Sequence, residues 1–171
     1  MTTNLHLRLF IIIFSLSLIN SASASPAAGT AGGPDMGRIQ REFGQVKRLA
    51  TSELASPAFF PPPNDGWKVG LSPALNRVLR RFKASLEGIA EMARQPGNPD
   101  PGVARLSLEL KSTFSRLVTR LLGVKEYLLK PGYEALGRTQ CRELPYYFAD
   151  IDKALSQLKS LTKQPGRLAI P

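Results

Sequence analysis

The chain has 171 residues with 23 Lys and Arg against 13 Asp and Glu, a formal net charge of +10, one histidine and one cysteine. That length suits a single domain, and so basic a balance favours acidic partners. Cys141 is alone, so no intrachain disulfide can form, and the stapling common in small secreted domains is excluded.

The N-terminus carries one charge at Arg8, an apolar run over Leu9–Ile19 and the small residues Ala22 and Ala24 in an A-x-A arrangement. This is the pattern of a cleaved signal peptide over 1–24. The run is too short to span a bilayer, which takes about 20 apolar residues, and no later segment is apolar enough to do so. The expectation is export to the extracellular space with no transmembrane segment after cleavage. Cleavage would also remove His6, the only histidine. Without it, Ser-His-Asp and Cys-His catalysis in their usual forms fall away, as does a His or multi-thiolate zinc site. No glycine-rich phosphate loop is present. Two carboxylate pairs remain, Glu87 with Glu91 and Asp150 with Asp152. Both stand beside Lys83, Arg94 and Lys153 on faces expected to be solvated, where charge pairing is the simpler role. No catalytic, cofactor-binding or metal-binding residue is therefore assigned, and the reading is of a protein that is not an enzyme.

Residues 25–34 are small and uncharged and lack side chains that could offset the entropy of ordering, so a disordered leader is expected there. Asp35 then caps a first helix over 36–55. Met36, Ile39, Phe43, Val46, Ala50 and Leu54 recur at spacings of three and four, with Arg38, Arg41 and Arg48 on the other side.

The connection 56–71 is broken by Pro57, Pro61, Pro62 and Pro63 and carries Phe59, Phe60 and Trp67. Two readings stand for these aromatics: a plug folded onto the bundle, or an aromatic loop displayed to a partner. The solubility hazard of three exposed aromatics favours the plug.

Ser72 and Pro73 start a second helix that runs to about Gln95, a cap followed by proline where proline is preferred. Leu75, Val78, Leu79, Phe82, Leu86, Ile89 and Ala93 share one face, with Arg77 and Arg81 opposite and Arg80 on the flank. Asp100 and Pro101 repeat the start signal for a third helix to about Leu129. Its stripe of Val103, Leu106, Leu110, Phe114, Leu117, Leu121, Val124 and Leu128 is widened by Val118, Leu122 and Leu129. So broad a face expects neighbours on two sides, or else a groove for a lipid or a partner helix. After Lys130-Pro131-Gly132 the pattern predicts a short helix over 133–142 and a last one over 145–162. Tyr147, Ile151, Ala154, Leu155, Leu158 and Leu161 form the stripe of that last helix.

The fold class expected is all-α, a four-helix-bundle-like single domain over 35–163 with an extended Pro- and aromatic-rich connection between its first two helices and a loose tail over 164–171. Basic residues are spread over every helix, a pattern that is usually solvated surface. The densest cluster is Arg77, Arg80, Arg81 and Lys83, which Arg116 and Arg120 could extend into a candidate patch for phosphate or sulfate. Cys141 is either a buried thiol or an interchain thiol. The function expected is that of a small secreted basic protein acting by binding a partner protein, in the manner of an effector or a cytokine. Two alternatives are a cationic binder of anionic lipid or polyanionic glycan, and a carrier of lipid or small molecules. Nucleic acid is disfavoured, because no aromatic-basic recognition motif is present.

Overall fold

The computed structural model describes residues 35–61, 68–94 and 101–162. The signal peptide, the leader, Trp67 and the tail expected from the sequence lie outside the described residues. Within them the protein is all-α, with α1 at Met36–Ala55, α2 at Pro73–Met92, α3 at Pro101–Leu129, α4 at Glu134–Cys141 and α5 at Leu144–Thr162. The four long helices pack against one another as a bundle, and α4 lies along α3.

Local chemistry explains each boundary. The Asp35 carboxylate accepts the Arg38 N–H at 2.9 Å and caps α1. The Ser72 hydroxyl accepts the Leu75 N–H at 3.3 Å, with Pro73 in the first turn of α2. Helix α3 closes where Gly132 adopts a φ of 82°, a left-handed conformation that suits glycine. The last helix begins one residue before the position expected, because Leu144 is already turned into the core and Pro145 is accommodated in the first turn.

The stripe residues of α1 and α2 meet as the sequence pattern predicts. Phe43, Val46, Leu75, Phe82 and Ile89 are almost fully buried, with Ile151, Leu155 and Leu158 of α5 and Leu110, Leu117 and Leu121 of α3. Aromatic rings run through the centre. Phe43 lies 5.1 Å from Phe82, and Phe82 meets Phe114 edge-on at 5.0 Å. Such geometry adds to the area buried. The broad face of α3 is contacted by α1 and α2 as well as by α4 and α5. No described helix is long and apolar enough to cross a membrane.

Helices α1 and α2 are antiparallel, and three contacts fix their register. Ser85 donates to Glu42 at 2.7 Å, Phe43 stacks near Phe82, and the Ser72 N–H reaches Glu53. On the other side of α1, Lys47 pairs with Asp152 at 2.5 Å and Lys159 donates to Gln40 at 3.0 Å, so α5 also runs antiparallel to α1.

Candidate functional site

The connection between α1 and α2 is held by a buried ion pair that the sequence pattern does not reveal. Lys125 of α3 is completely inaccessible, and its Nζ lies 2.6 Å from Oε1 of Glu53 near the end of α1. A second donation goes to the Gly70 carbonyl at 2.7 Å. The third direction of the ammonium is covered by the Phe60 ring, whose centroid is 4.7 Å away. An ammonium has three donors, and here each direction is occupied by protein. The Glu53 carboxylate in turn accepts the Ser72 N–H at 2.9 and 3.1 Å through its two oxygens. The Gly70 N–H donates to the Phe60 carbonyl at 2.6 Å and ties the two ends of the strap together. Nearby, the Asn76 side chain donates to the Leu71 carbonyl at 2.8 Å.

Two helices and a strap thus converge on one buried charge pair. A buried pair tolerates its own desolvation only when the remaining donors and acceptors are satisfied, and this one meets that condition. Its chemical capacity is structural: the ammonium has no open side from which a substrate could approach.

The two readings of the aromatic connection divide between neighbouring residues. Phe60 is half-buried, with its ring over the Lys125 ammonium. Phe59, next to it, is 50% exposed and faces solvent.

A second buried charge lies between α1 and α2. Glu42 is 3% exposed and accepts from Ser85 at 2.7 Å and from Arg38 Nε at 3.2 Å. It too has its oxygens engaged.

The candidate basic residues go to several places. Arg77, Arg80 and Arg81 are exposed along α2 and make no ion pair among the described residues. Lys83 is half-buried and stands 3.7 Å from Glu87. Arg116 is exposed on α3 and reaches only the Thr113 hydroxyl, at 3.4 Å. Arg120 is drawn to Glu143, just before α5, and its Nε is buried without a partner. Arg81 lies one turn before Ser85, which meets Glu42 of α1, and Arg77 lies one turn further back on the outer side of α2. Of the carboxylate pairs, Glu87, Glu91 and Asp150 are exposed, and Asp152 is bonded to Lys47 of α1.

Comparison with protein-family models, curated proteins and solved structures finds no match to this chain.

Cys141 is half-buried at the end of α4, and burial raises its thiol above the ordinary cysteine range. Among the described residues no group of three His, Cys, Asp or Glu side chains could hold a metal. A shallow hollow of about 340 Å³ separates the start of α3 from the end of α5. Leu106 and Leu161 line it, but so do the Arg105–Glu109 ion pair, Gln157 and Ser160, a mixed lining that offers a lipid tail little.

Proposed function

We propose that the protein is exported and acts, without catalysis of its own, by binding a partner protein, with Phe59 as a principal contact. The observation that carries this reading is the division of labour within the strap. Phe60, Gly70 and Ser72 are pinned to Lys125 and Glu53, while Phe59 between these anchors and α1 is presented to solvent. A single aromatic on a fixed support is the economical form of a binding hot spot. It supplies apolar area, and its neighbour Phe60 is already held at Lys125 in the free protein.

The test is capture from extracellular fluid and from cell lysate on the immobilised protein, eluted in rising salt and compared with Phe59→Ala. Contacts made by screened charge alone release by about 0.5 M salt, where the Debye length is a few ångströms. The reading expects one protein retained beyond that point, and expects Phe59→Ala to lose it with thermal stability unchanged. Retention that ignores the substitution would remove Phe59 from the interface. Turnover of a substrate by the protein alone would overturn the reading as a whole.

A further inference from the structure

The register between α1 and α2 brings together arginines that are far apart in sequence. Along α1, Arg38, Arg41 and Arg48 follow one line with Gln45 and Ser52, at spacings of three, four, three and four residues. Along α2, Arg77 and Arg81 follow a matching line with Ala84 and Gly88. The pairing of Ser85 with Glu42 shows which flanks of the two helices meet, and the Phe43–Phe82 and Glu53–Ser72 contacts set their level. Arg48 therefore stands level with Arg77 along the helix axes, and Arg81 level with Gln45, all on the outer sides of the two helices. Arg38 to Arg48 spans about 15 Å of helix, and the axes of two packed helices lie roughly 8–10 Å apart.

The acids of this face are Asp35 and Glu42 on the α1 side and the exposed Glu91, which ends the α2 row. Arg48, Arg77 and Arg81 make no ion pair among the described residues. Arg38 and Arg41 have neighbours in Glu42 and Asp35, at 3.2 and 3.7 Å, yet their side chains stay 68% and 73% exposed. Each acid is shared: Glu42 takes Arg38 on Oε1 and Ser85 on Oε2, and Asp35 takes the cap of α1 on Oδ1 with Arg41 near Oδ2. All five cations are arginine, whose planar fork matches a sulfate or phosphate group with two parallel bonds.

We infer that the α1–α2 face is a binding site for a sulfated polysaccharide, held by Arg38, Arg41, Arg48, Arg77 and Arg81. What the face lacks selects this ligand among anions. The exposed large apolar side chains among the described residues are Phe59, Leu108, Tyr133, Leu136, Tyr146 and Leu161, and none belongs to α1 or α2. A membrane-surface site needs apolar groups that enter the lipid. Single-stranded nucleic acid needs aromatic platforms for its bases, and a protein interface needs an apolar anchor at its centre. A duplex is stiff and meets a flat face along one line. A flexible chain with a sulfate on nearly every sugar can reach all five forks. Ala84 and Gly88 continue the α2 row without obstruction, since a Cβ at Gly88 would meet only open space.

The test uses the full chain and an immobilised heparin oligosaccharide, with affinity measured over a range of salt. Arg48→Ala/Arg77→Ala/Arg81→Ala is expected to lower affinity at least about tenfold and to flatten its salt dependence. Lys111→Ala/Arg138→Ala/Lys153→Ala, which removes equal charge from α3, α4 and α5, is expected to leave affinity unchanged. Arg48→Lys/Arg77→Lys/Arg81→Lys keeps the charge without the fork and is expected to fall between the two. Melting temperatures confirm that each variant is folded. An equal loss in both alanine triples would mean that net charge alone attracts the chain, and would overturn the site. Full binding by the lysine variant would do the same for recognition by arginine forks. Competition by poly-L-glutamate, by duplex DNA or by phosphatidylserine vesicles as effective as that by free heparin would overturn the sulfated chain as the ligand.

Discussion

Replacing Lys125 with Met tests the anchor of the strap. The substitution keeps the length and most of the volume of the side chain and removes the ammonium. The Gly70 carbonyl then loses its donor, a desolvation cost of about 1–3 kcal/mol for a buried group. The Phe60 ring loses a cation–π contact of about 0.5–2 kcal/mol. Glu53, whose side chain is 6% exposed, keeps the Ser72 N–H but loses its counter-charge. Breaking one side of a buried pair costs about 3–5 kcal/mol in all. For a domain of this size that is a fall in Tm of roughly 10–20 °C. Thermal and urea denaturation measure it, and hydrogen exchange at the Gly70 amide, bonded to the Phe60 carbonyl at 2.6 Å, reports the strap directly. The double variant Glu53→Gln/Lys125→Met removes both charges and is expected to recover most of the loss. A cost below about 1 kcal/mol for Lys125→Met, the range of a surface ion pair, would refute the account of the strap as anchored by this charge.

Other consequences can be measured separately. Gly137→Ala would place a Cβ 2.9 Å from the Leu128 backbone nitrogen, so it should push α4 off α3 and cost about 1–3 kcal/mol in urea denaturation. Gly88→Ala, where a Cβ meets open space on an exposed helix, should instead stabilise by up to about 1 kcal/mol in the same assay. Glu42→Ala strands Ser85 and removes a buried bond between α1 and α2, and should cost about 1–3 kcal/mol, with Glu42→Gln closer to the parent. Burial raises the Cys141 thiol, so its alkylation by iodoacetamide should show a midpoint at higher pH than a cysteine in a short peptide. The folded state then holds the proton more tightly than the unfolded one. This contribution to stability is complete below the unfolded thiol's pKa and declines as pH rises from there through the folded value.

The helices were legible because their signals are local. Asp35, Ser72 with Pro73, and Pro131 with Gly132 act on backbone groups within a turn of themselves, and the apolar spacing of each helix names its own buried face. The anchor was not legible, because neither partner has a local signature. Glu53 and Lys125 are 72 residues apart, and each looks like one more charge on a charged helix. A faint signal existed. Lys125 falls among Leu121, Val124 and Leu128, on the side of α3 that the pattern buries, where an unpaired charge would not be tolerated. The same applies to the arginine face. Clustering along the chain pointed to Arg77, Arg80, Arg81 and Lys83, whereas the antiparallel register sets Arg77 and Arg81 on a level with Arg48 and Gln45 of α1. Phe59 and Phe60 are equivalent in composition, and only the position of the Lys125 ammonium separates their roles.

The contact of α1 with α5 has a consequence for the time at which the molecule can exist. Gln40 and Lys159, bonded at 3.0 Å, are 119 residues apart. The first of the described helices is thus partnered by the last. Until Leu144–Thr162 has emerged, Ile151, Leu155 and Leu158 are missing from the interior, and Phe43 and Val46 have nothing to close over them on that side. A chain of this design cannot close its interior around α1 until α5 has been made, whatever the propensity of its earlier helices.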